Sequence, residues 1–380
     1  MSSIMIHAGT PLRFLKHTNT LATKQANDTA NKHANYSAKP AKCRRAASWR
    51  ILIATVLLFS TALPSLSQEL LTGRPDVEAF LDQLAKQYNL DRKSLADQFK
   101  GMTVDPEVIR LNQPQPPGTK SWLAYRSSHL ESIKIKEGKK FLAQHRNTLM
   151  AAQRAYGVPA EMITAILGIE TNYGAYQGDF EALRTLTTMV FALPTDDSHP
   201  EWTVDDRDQL VNLFLLARDQ GKKPNQYKGS FAGALGYPQF RPTSWRKFGV
   251  DGDGDGKVDL MNSVADAIFS IANYFKINGW QAGQPVAIPV RIEQQIAQQL
   301  RSMKGADKPN LTLQQLVTAG VQPTAGSFIN DLAILVDLPT PGQATEYWVG
   351  YPNFNTIMQY NRSFFYAMAV YQLSQAISAS

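Results

Sequence analysis

Apolar residues recur at helical spacing over most of the chain. In Pro75–Phe99, Val77, Phe80, Leu81, Leu84 and Tyr88 fall on one face, and from Ser121 to about Gly157 the pattern continues through Leu130, Ile133, Phe141, Leu142, Leu149 and Ala152. From Glu161 onward Met162, Ile163, Ile166, Leu167 and Ile169 predict a buried helix, with Pro159 suited to its first turn and Thr171-Asn172 and Gly174 ending it. Asp205–Arg218 turns Leu210, Leu213, Phe214 and Ala217 inward, and Val264–Asn278 does the same with Ile268, Ile271, Ala272 and Phe275. After Gly279-Trp280 the pattern changes. Val286–Ile292 and Leu332–Leu338 are β-like runs separated by Pro/Gly turns, with a helical patch near Ile292–Met303, and Phe354–Ile377 returns to helix. No solenoid-type repeat is present.

The fold class expected from this is α+β, mainly α. The regions are a leader at 1–67, an N-terminal helical region at 68–120 containing the Pro-rich linker Asn112–Thr119, and a helical core at 121–284. A small α+β insertion at 285–345 and a C-terminal helical segment at 346–380 that returns to the core complete the chain.

Charge changes the picture through where it sits. The 380-residue chain carries a formal +7, but residues 1–67 hold nine Lys/Arg against the single acid Asp28, a balance of +8 that leaves −1 for residues 68–380. Basicity is therefore a property of the leader, and a nucleic-acid partner is not expected. Arg44-Arg45 and Arg50 precede the apolar run Ile51–Leu63, then Pro64 and the small residues Ser65-Leu66-Ser67. That order is a signal peptide, predicting export to the periplasm with a mature start near Gln68. The run is short for a membrane span. Cys43, the one cysteine, precedes the run and is not placed for lipidation, so the exported part is no lipoprotein and holds no disulfide.

Three segments carry candidate chemistry. Glu170 lies at i+4 from Ile166 and i+7 from Ile163, on the apolar face, where lost hydration raises a carboxyl pKa toward proton-donor range. A helix-end Glu paired with a cation is the plainer alternative. Ser230 to Ser244 holds Gly233, Gly236, Pro238 and Pro242, which prevent a long helix; Ser230, Tyr237 and Gln239 there offer groups that bind sugar hydroxyls or acetamides. A packed loop is the alternative reading. Asp251-Gly-Asp-Gly-Asp-Gly-Lys-Val-Asp259 matches the first half of an EF-hand loop, 251–262, with Asp251, Asp253 and Asp255 as oxygen ligands, the Lys257 carbonyl next and Asp259 through water. Asn262 stands where a bidentate Glu belongs, and Asp266 is the replacement that the following helix offers. The implied cofactor is Ca²⁺, structural, with no organic cofactor; a bare Asp-Gly turn is the alternative.

Together, Ile169-Glu-Thr-Asn-Tyr-Gly174, Ala232-Gly-Ala-Leu-Gly-Tyr-Pro-Gln-Phe240, the Asp-Gly loop, Ala272-Asn-Tyr-Phe275 and Tyr347-Trp-Val-Gly-Tyr-Pro-Asn-Phe354 resemble the B-type lytic murein transglycosylases, glycoside hydrolase family 103. The resemblance runs from about Val77 to the C-terminus. It implies a lysozyme-like helical core, and an enzyme that cleaves the β-1,4 bond between N-acetylmuramic acid and N-acetylglucosamine to leave a 1,6-anhydromuramoyl end. It also implies Glu170 as the sole catalytic acid/base, and Tyr125, Ser230, Gln239, Tyr274, Tyr360 and Asn361 as groove residues. Asp266 is implied as a late metal ligand, given one inserted residue before it. Peptidoglycan strands are the expected partner, other cell-wall enzymes further partners, and the chain a monomer. The chain departs from the family at Thr195-Asp196-Asp197, where an arginine pair is common, and in lacking a lipidated cysteine.

Ordinary glycosidases need two carboxylates. A transglycosylase manages with one, because the substrate's C6 hydroxyl replaces water. The rival acids Asp179 and Glu181 lie near the next predicted helix start, where the macrodipole accounts for them. The alternatives at this point are a muramidase acting on the same bond with water, and a calcium-stabilised glycan-binding protein without catalysis. The second has no need of Glu170.

Overall fold

The computed structural model describes residues 69–113, 121–193, 200–303, 308–324 and 332–379. The leader with its Ile51–Leu63 run and Cys43, most of the Asn112–Thr119 linker, and Thr195-Asp196-Asp197 lie outside the described residues.

Helices form where the apolar spacing predicts them, but local chemistry cuts them shorter. Helix α1, Pro75–Tyr88, opens on Pro75 and buries Val77, Phe80, Leu81 and Leu84. Asn89 ends it in the left-handed region (φ 52°), and Asp91 caps α2, Arg92–Phe99, by accepting from the Ser94 N–H at 2.6 Å. The expected Pro75–Phe99 stretch is thus two helices. Asp105 caps α3, Pro106–Leu111. The Ser121–Gly157 stretch is three: α4, Trp122–His129; α5, Ser132–Gln144; and α6, Arg146–Tyr156, closed by Gly157 at φ 74°. Ile133, expected inside, is 56 % exposed.

Helix α7, Ala160–Thr171, follows, with Pro159 as its N-cap rather than within its first turn. Strand β1, Phe180–Glu181, pairs with β2, Lys228–Gly229, around α8, Ala182–Ala192, and α9, Pro200–Asp219. Then come α10, Pro242–Phe248, and α11, Val264–Ile277. The C-terminal helices are α14, Pro352–Tyr360, and α15, Phe364–Ser378, numbered after the two small helices described next. Helices α7 and α15 pack together through the centre of the core. Both are apolar almost all round: α7 buries every residue from Met162 to Gly168, and α15 every residue from Phe365 to Val370.

The small sheet contains β3, Ala287–Arg291; β4, Leu311–Thr312; β5, Gln322–Pro323; β6, Leu332–Leu338; and β7, Glu346–Gly350. Its order is β4-β6-β7-β3-β5, antiparallel throughout. Helices α12, Gln294–Arg301, and α13, Leu313–Thr318, cover one face. Ala333 and Leu335 of β6 enter that satellite core, while Ile334, Val336 and Leu338 face the main one. Burial on both faces explains why β6 is continuously apolar from Leu332 to Val336. The expected boundary at 345 needs correction. Glu346–Gly350 is the strand between β6 and β3, so the sheet extends to Gly350 and the helical return begins at Pro352. Among the described residues, no helix is long and apolar enough to cross a membrane.

Candidate active site

Glu170 is the penultimate residue of α7, and the chain reverses at once behind it. Asn172 (φ 51°), Tyr173 (φ 62°) and Gly174 (φ 90°) are all left-handed. Gly174 is required twice over: its φ suits glycine, and a Cβ there would sit 1.9 Å from Cε1 of Tyr237. Thr171 locks this contact, its hydroxyl donating to the Tyr237 carbonyl at 3.0 Å and accepting from the Gly174 N–H at 3.0 Å. The glycine-rich loop is thereby joined to the end of the Glu170 helix.

The Glu170 carboxyl is partly buried, and Oε1 accepts a hydrogen bond from the Tyr366 hydroxyl of α15 at 2.5 Å. Desolvation pushes its pKa up to about 7, and the Tyr366 hydrogen bond opposes the rise. Tyr125 and Tyr360 lie within reach of the same charge. Burial and then the Glu170 charge raise the Tyr125 phenol to about 12 and push Tyr360 and Tyr366 well above the usual range, so all three are neutral at physiological pH. Among the described residues, the acids are not among the groups acting on Glu170. Asp179 and Glu181 are exposed, and Glu181 makes no side-chain cap bond at the start of α8.

The predicted groove residues divide by role. Tyr125 stacks on His129 (centroids 4.3 Å apart) and on Trp122 (6.5 Å), which fixes its ring beside Glu170. Tyr360 stacks on Tyr366 (6.3 Å, 16°), and its hydroxyl donates to the Pro238 carbonyl at 2.5 Å, joining α14 to the glycine-rich loop. Tyr237 covers Gly174. Gln239, itself left-handed (φ 50°), donates to the carbonyls of Gln177 (3.0 Å) and Gly236 (2.9 Å), which leaves Oε1 to accept. Ser230 Oγ accepts from the Ala232 and Ala234 N–H groups at 3.2 and 3.1 Å, holding the turn.

One expectation changes. Tyr274 is 8 % exposed and donates to the Gln359 carbonyl at 2.6 Å, so it braces Tyr360 (4.9 Å) and does not present its hydroxyl to a ligand. Asn361 is exposed beside Tyr360, in the turn before α15. Tyr366 was not anticipated. Its one signal is a tyrosine inside an apolar run, since a buried phenol needs a partner. Lys134 was also missed; its Nζ donates to the Gly168 carbonyl at 3.0 Å in the last turn of α7, where a cation suits the helix end.

The acidic loop forms a second centre. Carboxylate oxygens of Asp251, Asp253 and Asp255 lie within 4.8 Å of one another. Asp251 accepts from the Gly254 and Gly256 N–H groups at 2.7 and 2.8 Å, and Asp255 from the Lys257 N–H at 2.8 Å. The carboxylates of Asp259 and Asp266 stand apart from this group. Asp259 accepts from the Met261 N–H and from Asn262 Nδ2. Asp266, 1 % exposed, accepts from the Gly252 N–H at 2.8 Å and the Asp259 N–H at 2.6 Å, bracing the loop's two ends instead of joining the cluster.

Comparison with known proteins agrees with this arrangement. The family model for the transglycosylase SLT domain matches residues 72–375. The membrane-bound lytic murein transglycosylase B of Escherichia coli (strain K12) is 35 % identical over 315 residues, covering 80 % of this chain and 83 % of that protein. The soluble lytic transglycosylase SltB1 from Pseudomonas aeruginosa superposes with a TM-score of 0.72 at 33 % identity, covering 80 % of this chain and 98 % of that one. Slt35 of Escherichia coli superposes with TM-scores of 0.73 in complex with bulgecin A and 0.71 in complex with calcium. In both cases identity is 34 %, with 82 % of this chain and 95 % of that one covered.

Proposed function

This chain belongs to the transglycosylase SLT domain family and is a lysozyme-like peptidoglycan lytic transglycosylase, and from that premise we propose that Glu170 makes both proton transfers of the reaction. The supporting observation is a desolvated carboxyl with a pKa of about 7, hydrogen-bonded by one neutral phenol. At neutral pH about half of such a group holds its proton, which suits donation to the glycosidic oxygen as the bond to N-acetylglucosamine breaks. The carboxylate left behind then takes the proton of the muramoyl C6 hydroxyl as that oxygen closes on C1. Tyr366 donates to the carboxylate between the two transfers. Tyr125, Tyr237, Tyr360 and Gln239 shape the groove in which the sugars lie.

The pH profile tests this. As the acid form is lost, kcat/KM on a soluble glycan falls above about pH 7, approaching tenfold per unit. Tyr366→Phe removes the interaction that lowers the Glu170 pKa, so the alkaline limb moves to higher pH while kcat falls about tenfold. A limb that stays put or moves down overturns the pairing.

Calcium is the second part of the proposal. Three carboxylates this close repel one another unless a cation sits between them, and oxygen donors on a turn fit Ca²⁺. The support from relatives is Slt35, solved in complex with calcium. With Asp266 occupied by backbone N–H groups, affinity falls at the weak end, Kd about 10⁻⁴–10⁻³ M. Calcium at about a hundred times Kd then stabilises the fold by about 2.7 kcal/mol, read as a rise in Tm. Asp251→Ala and Asp255→Ala each remove the rise. Identical melting curves in calcium and in chelator exclude the site.

The remaining element is export: the protein acts in the periplasm on glycan strands, as a monomer, after the leader is removed near Gln68. N-terminal sequencing of periplasmic material checks this, and recovery of the whole chain in the membrane fraction overturns it.

A further inference from the structure

Three cavities adjoin one another, two of them along the outer side of α15 and the third beside them on the small sheet. One, of about 450 Å³, lies where β3 ends and β7 begins; the next, about 660 Å³, lies between α4, α5 and α15; the third, about 490 Å³, lies between the start of α7 and the end of α15. Trp348 and Glu346 line both the first and the second, and Gln375 lines both the second and the third, so they form one furrow. Glu170 lines none of the three. Gln375 comes nine residues after Tyr366, which at about 100° per residue sets it roughly half a turn away, on the opposite face of α15.

We propose that this furrow is a second binding site for the glycan polymer, separate from the groove at Glu170. The proposal rests on peptidoglycan being the substrate. The lining has the chemistry of sugar recognition. Half-buried Trp348 stands edge-to-face against Tyr371 at 6.5 Å and supplies aromatic surface. Arg126 Nε donates to Gln372 Oε1 at 2.8 Å, which leaves the Gln372 amide nitrogen to donate outward. Gln375 Nε2 donates to the Tyr371 hydroxyl at 3.1 Å, which leaves Gln375 Oε1 to accept. A donor and an acceptor of this kind, three residues apart on one helix face, match hydroxyl and acetamido groups. Charge along the furrow balances: Arg126 and Arg291 against Glu161 and Glu346. Balanced charge favours an uncharged polymer backbone over nucleic acid or an acidic peptide. Because the furrow and Glu170 lie on opposite sides of α15, one short oligosaccharide does not reach both. The furrow holds a distant stretch of strand, or a neighbouring strand, and keeps the enzyme on the insoluble wall between cuts.

The test uses the full chain with Gln372→Ala and Gln375→Ala together, surface changes that leave the core intact. Losing two hydrogen bonds weakens binding to insoluble sacculi at least about fivefold, measured by co-sedimentation in a Glu170→Gln background so that nothing is cut. In the active background kcat/KM falls on sacculi and is unchanged on a soluble tetrasaccharide. Unchanged sacculus binding overturns the proposal, and is also the outcome if the furrow holds a protein. A parallel loss on the tetrasaccharide overturns it in favour of a structural role. If Glu170→Gln still cuts sacculi, the reading of Glu170 fails instead, while the co-sedimentation still reports on the furrow.

Discussion

Glu170→Gln lowers turnover on peptidoglycan by two or more orders of magnitude while the protein stays folded. The amide keeps the shape of the carboxyl and still accepts from the Tyr366 hydroxyl, but carries no proton to give to the glycosidic oxygen. A hundredfold loss corresponds to about 2.7 kcal/mol of transition-state stabilisation, within the range of one general acid. The same substitution has a stability signature of known sign. The folded-state pKa of Glu170, about 7, lies above the ordinary glutamate value of 4.5, so between those pH values the folded protein holds more protons than the unfolded chain. Stability therefore declines as pH rises through that window, and the cost of the buried charge is fully present above about pH 7. A shift of this size costs on the order of 3 kcal/mol. Gln has no charge to bury, so Glu170→Gln melts a few degrees above the unsubstituted protein at pH 8, with that advantage gone at pH 4. Retained lytic activity removes Glu170 from catalysis. A variant that melts lower at pH 8 than at pH 4, relative to the unsubstituted protein, removes the desolvation argument.

How much of this was legible in the sequence depended on how far each interaction reaches along the chain. Desolvation of Glu170 was legible, because the Ile163–Ile166–Glu170 spacing places the carboxyl on a buried face whatever packs there. Its partner was not. Tyr366 lies 196 residues away within an apolar helix, and nothing local distinguishes it from Tyr371 on the same helix. The acidic loop was legible as a turn with converging carboxylates, since alternate Asp residues with intervening glycines dictate that locally. The position of Asp266 depends on how α11 docks under the loop, which the spacing does not contain. Helices were legible and their breaks less so. Asn89 and His145 interrupt stretches whose apolar period continues across them, and a single residue with non-helical dihedrals has little effect on periodicity. Strand β7 was assigned to the wrong region because its partners, β6 and β3, come from before and after a connecting segment, and strand pairing is non-local.

The largest chemical contrast is in the product. Every cut yields a muropeptide one water lighter than lysozyme's, ending in a 1,6-anhydro ring with no reducing end. A hydrolase needs a second carboxylate, either to activate water or to form a glycosyl intermediate. The groups acting on Glu170 among the described residues are phenols, held neutral by burial, and none of them is a base at physiological pH. Asp251, Asp253 and Asp255 are grouped in their own loop, and Asp179 and Glu181 are exposed near the start of α8. The oxocarbenium-like centre thus meets a nucleophile already tethered to its own ring. Effective molarities of about 10⁵ M or more for such tethered attack exceed bulk water, roughly tens of molar, by a factor of about 10³. Hydrolysed ends are therefore expected at about one in a thousand or fewer. Mass analysis of muropeptides released from purified sacculi measures the ratio directly. Reducing muramic ends as the main product require a water-activating base, and Asp179→Asn is then the variant that shows whether that residue supplies it.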